Sequence, residues 1–241
     1  MSQNNFTFVV EHLDPELGPW SALEYKTIAQ ESQQAGCHFI LSSLPQSLLE
    51  SQDLKDLVRL GAESRSDSIE AYFSHKKDKI CLLDPAAKQE LHPTDAAGFD
   101  VFLFGGILGD DPPRDRTSEL RKKGFSGRRL GPVQMTTDTA VRVTRMVIND
   151  QIPLDKIPYV DFPELKLDEH ESTEMPFRYV TDNSGKPIMP QVSLEHMAIR
   201  TVANDSQGMV DLIKADADKA FDNLEFADEV DGLDQLEVTK P

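Results

Sequence analysis

The chain has 241 residues, enough for one large or two small domains with a substantial buried core. Its 42 acidic against 25 basic residues leave a net charge of −17, which argues against a bare nucleic-acid binder and suits a basic partner or simply a soluble protein. Only Cys37 and Cys81 are present, both in or beside apolar strand-like runs; they read as buried reduced thiols, too few for a zinc site of the usual kind.

In chain order, Phe6 to Val10 is a short run of β-formers and predicts a buried strand, ended by Glu11-His12. Pro19-Trp20 can open a helix that carries Leu23, Ile28 and Ala29 and stops near Gly36. His38 to Leu41 reads as a second strand. Pro45 to Leu60 repeats apolar residues at helical spacing and ends at Gly61. Ser64 to Ser68 is a polar loop. Ile80 to Asp84 and Val101 to Phe104 are two further core strands, the first broken by Pro85. Arg114 to Lys122 predicts a helix, Arg128 to Leu130 a short fifth strand, and Thr136 to Asn149 a helix with Ala140, Val143, Val147 and Ile148 on one stripe.

Short apolar strands alternating with helices imply an α/β fold, a mostly parallel sheet with helices on both faces. That texture occupies residues 1–160. Beyond it, residues 161–195 hold strands such as Phe177 to Val180, packing on the first unit as a small C-terminal extension. Residues 196–241 form a polar, acidic tail that reads as a solvated end. No run approaches the ~18 apolar residues of a membrane span and no signal-peptide pattern opens the chain, so a cytoplasmic protein away from membranes is expected.

A glycine cluster, Phe104-Gly105-Gly106-Ile107-Leu108-Gly109, follows the fourth strand, and acids and arginines from Asp110 to Arg116 follow it directly. Glycine where a buried strand ends lets backbone approach a ligand closely, which is the layout of a cofactor pocket at the carboxyl edge of an α/β sheet. The dinucleotide fingerprint, the P-loop lysine and the hydrolase Gly-x-Ser-x-Gly elbow are absent, and the six histidines show no metal-ligand spacing. No metal is expected.

The chain resembles the SPOUT methyltransferases, which use S-adenosylmethionine (SAM). The resemblance rests on Phe104-Gly105-x-x-x-Gly109 and on Met135 to Ala140 leading into a helix. The longer strings Phe104–Thr117, Arg128–Ala140 and Thr173–Val180 are similar to the fungal SPOUT protein-arginine methyltransferases, over about residues 6 to 190. This resemblance implies a C-terminal trefoil knot, SAM as cofactor, and methylation of an arginine on a basic protein of the small ribosomal subunit. It also implies cofactor contacts from Leu83, Asp84, Gly105, Gly106, Gly109, Leu130, Met135 and Thr137. An RNA methyltransferase of the same fold is the alternative enzyme, although no basic face for RNA is visible. A non-catalytic ribosome-assembly factor, holding a basic client with the acidic tail, is the alternative from another class. SPOUT enzymes are commonly dimers; here Thr173 to Val180 can cover that face, and a monomer is expected.

An arginine acceptor is a protonated, weakly nucleophilic fork. Carboxylates can orient it and accept its proton as transfer proceeds. Glu11 at the end of the first strand, with Asp110 and Asp111 after the glycine cluster, are the first candidates for catalysis. Asp115, Asp138 and Glu174 stand behind them. Arg114 and Arg129 either hold the cofactor carboxylate or pair with these acids. Trp20, the one tryptophan, packs in the core or walls the substrate channel.

Overall fold

A computed structural model describes residues 5–106, 117–166 and 172–190. Six strands form one sheet: β1 (Thr7–His12), β2 (His38–Ser42), β3 (Ala62–Ser64), β4 (Ile80–Leu83), β5 (Val101–Gly106) and β6 (Ser126–Arg128). They lie in the order β3-β2-β1-β5-β4-β6, and every pairing is parallel. The chain builds outward from β1 through β3, crosses to place β4, fills the gap with β5, and ends with β6 outside β4.

Strand alternation sends Phe8, Val10, Phe39, Leu41, Leu83, Phe102 and Phe104 into the larger core. Helices α1 (Pro19–Gln34), α3 (Gln52–Arg59) and α6 (Thr137–Ile148) belong to that side, supplying Tyr25, Ile28, Leu54, Leu57, Val143 and Val147. Val9, Ile40, Ile80, Leu82 and Leu103 face the other way, onto Ile69 of α4 (Ile69–Tyr72), Leu120 of α5 (Thr117–Lys122) and Phe125. Both faces are thus covered, which is why these strands read as unbroken apolar runs.

Three local expectations differ from the structure. The helix expected over Pro45 to Leu60 is two, α2 (Gln46–Leu49) and α3, because Ser51 is extended and its hydroxyl accepts the Leu54 N–H at 3.3 Å. The cap competes with helix continuation and wins. The polar loop expected from Ser64 starts one residue later, because Ala62–Ser64 pairs with β2 as an edge strand. The fifth strand lies two residues earlier than Arg128–Leu130, because Gly127 and Arg128 pair with Leu82 and Leu83. Of the helix expected from Arg114, the described part is α5.

The C-terminal strands are antiparallel pairs: β7 (Tyr159–Asp161) with β10 (Arg178–Val180), and β8 (Glu164–Lys166) with β9 (Ser172–Glu174). Met175, Phe177 and Tyr179 make a small core with Val160 and Met189. β7 spans residue 160, where the boundary of the extension was expected. The tail 196–241 lies outside the described residues.

Candidate active site

A cavity of about 510 Å3 opens at the carboxyl ends of β4 and β5. Its walls come from three segments: Leu83 to Ala86 after β4, Phe104-Gly105 at the end of β5, and Arg129 to Met135 after β6, with Thr137 and Ala140 of α6. The loops are held to each other by backbone bonds. Asp84 N–H donates to the Arg128 carbonyl at 2.8 Å, Arg129 N–H to the Gln89 carbonyl at 2.9 Å, and Leu91 N–H to the Arg129 carbonyl at 2.9 Å. Gly131, at φ +100°, turns the third loop where a β-carbon would be strained. The extension clamps that loop from outside, with Arg178 N–H donating to the Gln134 carbonyl at 2.9 Å. The Arg178 guanidinium lies over the Tyr159 ring and binds both Asp161 oxygens at 2.6 and 2.8 Å. Those bonds hold the Asp161 carboxyl below its usual range.

The structure brings Leu83, Asp84, Gly105, Leu130, Met135 and Thr137 to one cavity wall. Gly106 ends β5 opposite His12. Gly109, Asp110 and Asp111 lie outside the described residues, as do Arg114 and Asp115. The Asp84 carboxylate is engaged: it receives Arg121 Nε at 2.5 Å, Arg121 Nη2 at 2.6 Å and the Ala86 N–H at 2.9 Å. What Asp84 leaves toward the cavity is therefore its backbone and the paired Arg121. Arg129 stands on the wall with Glu90 at 3.1 Å, and Arg128 is turned away to Asp95 at 2.9 Å.

Glu11 lies apart from the described walls. It closes β1, but alternation places its side chain on the α4 face, whereas the cavity walls Leu83 and Phe104 belong to the α1–α6 face. Its carboxylate is fully buried and accepts the Ser43 hydroxyl and the Ile69 N–H, the latter at 2.9 Å. It thus caps the α4 turn, and among the described residues it does not touch the cavity. Glu174 is exposed on β9, far along the extension.

The α1–α6 face carries a buried polar group that the strand-end search did not find. Glu24 and Asp138 are each 1% exposed, and Arg142 is 3% exposed. Glu24 Oε1 accepts the Thr137 N–H at 3.2 Å. Arg142 binds Glu31 at 2.5 to 3.1 Å and Asp138 Oδ2 at 3.4 Å. Burial works against the Arg142 charge, but Glu31 and Asp138 outweigh it and keep the guanidinium ionised. Burial first, and Asp138 second, push the Glu24 carboxyl well above its usual range. One signal was present in the sequence: Trp20, Glu24 and Ile28 fall at i, i+4 and i+8, which puts a glutamate in line with a buried isoleucine. Trp20 itself is half-buried at the start of that line.

Among the described residues no helix is long and apolar enough to cross a membrane. A family model described as "Protein arginine N-methyltransferase SFM1-like" matches residues 7–204. Protein arginine N-methyltransferase SFM1 of Saccharomyces cerevisiae is 41% identical over 227 residues, 90% of this chain and 98% of that protein. The crystal structure of yeast SFM1 complexed with SAM gives a TM-score of 0.71 at 41% identity, over 89% of this chain and 92% of that one. Its complex with SAH gives 0.68 at 41% identity, over 86% and 94%. Full-length spTrm10, complexed with SAH, is similar in fold alone, with a TM-score of 0.50 at 12% identity over 65% of this chain and 96% of that one.

Proposed function

The chain belongs to the SFM1-like family of protein arginine N-methyltransferases, and from that premise we propose that it methylates an arginine of a basic small-subunit ribosomal protein, with SAM held in the cavity between β4, β5 and α6. It is a SAM-dependent protein arginine N-methyltransferase with a SPOUT-type fold. The observation that carries the reading is the convergence of three loops, distant in sequence, on one cavity at the carboxyl edge of the sheet.

The cavity suits the cofactor. Its volume falls within the range of small-molecule sites, about 300–1,000 Å3. Leu83, Leu130 and Met135 offer apolar walls for a heterocycle, and Gly105 admits close backbone contact. When bound, SAM supplies a methyl carbon on a sulfonium; transfer forms one N–C bond, breaks one S–C bond whose electron pair stays on sulfur, and releases one guanidinium proton. The chain's own tasks are to exclude water, orient the fork and take that proton. Asp110 and Asp111, beside the glycine cluster, are the carboxylates proposed for the last two tasks, joined in cofactor contact by Gly106 and Gly109. Glu11, capped off on the other face, is assigned a structural part. Arg129, on the wall and only half engaged by Glu90, is proposed to face the cofactor carboxylate.

The net charge of −17 supports a basic protein as substrate rather than an RNA. The trefoil knot belongs to the same proposal, supported by β6 lying outside β4 while the chain after it returns to the wall beside Phe104. So do a monomeric state and a cytoplasmic location. The test is transfer of labelled methyl from SAM to separated small-subunit proteins and ribosomal RNA. Label on one arginine-containing peptide is expected; label in RNA alone overturns the substrate. A light-scattering mass near twice 27.0 kDa overturns the monomer.

A further inference from the structure

The buried polar group between α1 and α6 has no part in the transfer chemistry, yet it touches the cavity through one residue. Thr137 is at once the first residue of α6 and part of the cavity wall. Its N–H is one of the donors a helix start leaves without an intrahelical partner. Thr136, the N-cap residue, makes no side-chain cap bond, and its hydroxyl donates to Thr139 Oγ1 at 2.7 Å. Glu24 does supply it, reaching across from the middle of α1 at 3.2 Å.

The rest of the Glu24 carboxyl faces Asp138, with which it is hydrogen-bonded. Asp138 Oδ1 is buried and has no hydrogen-bond partner of good geometry among the described residues. Two facing carboxylates cannot both satisfy each other; one of them must carry a proton. The one guanidinium present, Arg142, makes its short bonds to Glu31 and reaches Asp138 only at 3.4 Å. The remaining facing groups are the Trp20 indole and the Tyr179 hydroxyl of β10, both without a hydrogen-bond partner of good geometry. Neither is a cation, and burial, with Asp138 and Glu24, pushes the Tyr179 hydroxyl far up.

We propose that Glu24 is a positioning residue for the cofactor cavity: accepting the Thr137 N–H while its carboxyl faces Asp138, it pins the start of α6 and so sets the wall against which SAM rests. The inference rests on the reading that this cavity takes SAM. It has a consequence in pH. Glu24 holds its proton in the folded chain well above the 4.5 of a free carboxyl. The bridge is therefore intact below the folded pKa, and it is lost as pH rises through it. Above that point two anions face each other under Thr137.

The experiment is calorimetric titration of the full chain with SAM, at a series of pH values from mildly acid to alkaline, for wild type, Glu24→Gln and Glu24→Ala. A glutamine keeps both bonds: Oε1 accepts from Thr137, Nε2–H donates to Asp138, and nothing titrates. Wild-type affinity should fall more steeply with rising pH than that of Glu24→Gln. The amino group of SAM itself, whose ordinary pKa is about 8, contributes equally to both and cancels in the difference. At neutral pH Glu24→Gln should bind within about threefold of wild type, and Glu24→Ala about tenfold more weakly. Should Glu24→Ala fail to fold, the difference between the wild-type and glutamine profiles still decides. Parallel profiles for those two, or an alanine variant that binds as tightly as wild type, overturn the inference alone. A wild-type chain that binds no SAM overturns the cofactor reading, and the inference with it.

Discussion

Two buried carboxyl sites flank the carboxyl edge of this sheet, on opposite faces, and they are neutralised differently. On the α4 face Glu11 stands alone and is satisfied by two neutral donors, a hydroxyl and a backbone N–H. On the α1–α6 face three carboxyls, Glu24, Glu31 and Asp138, share one arginine and one proton. The first arrangement closes a turn and is finished. The second couples a helix start, and through Thr137 a ligand cavity, to a titratable group. A buried acid is thus a functional candidate when its charge is only partly settled, and scaffold when donors settle it completely.

Breaking the larger group should have the largest effect. Arg142→Met removes its one guanidinium and leaves buried carboxylates unpaired, so stability should fall by about 3–5 kcal/mol in urea denaturation. A loss below about 1 kcal/mol would mean that the group is not the charge-coupled unit described.

Glu11→Ala strands the Ser43 hydroxyl and the Ile69 N–H inside the protein, and about 1–3 kcal/mol of stability should go with SAM affinity unchanged. Intact stability with abolished methyl transfer would return Glu11 to the catalytic acids and erase the contrast between the faces.

Asp84→Asn weakens the bidentate Arg121 pair at the cavity wall. Because Arg121 is 39% exposed, roughly 1 kcal/mol is expected, shrinking as salt rises. A salt-independent loss would place this pair among the buried ones.

The smallest effect belongs to the extension. Asp161 is held below the 3.8 of a free carboxyl, so the stability it adds is present above that pH and is lost as pH falls through the folded value. With Asp161 at 38% exposure, Asp161→Asn should cost no more than about 0.5 kcal/mol at neutral pH and should flatten the acid side of the stability profile. An unchanged acid limb would detach the extension from the loop it buttresses.

Much of this was legible in residue order. The runs Phe6–Val10, Ile80–Leu83 and Val101–Phe104 are strands because a strand covered on both faces must be apolar throughout. The glycine cluster begins at the cavity, with Gly105 on its wall, and six of the eight residues named for the cofactor line that cavity. The interruption at Ser51 was not legible, since Leu49 and Leu57, eight residues apart, keep helical spacing across it. Glu24 was missed because the search for acids followed strand ends, and its partners Thr137 and Asp138 lie more than a hundred residues away.

What the sequence determined by itself was the family, the parallel α/β sheet and the three loops that carry the site, all consequences of local periodicity, glycine placement and long matching strings. Only the tertiary structure decided which acids are used up. The direction in which a strand-end side chain points, and whether a buried carboxyl meets a donor, a cation or another carboxyl, depends on contacts between distant segments that periodicity does not encode.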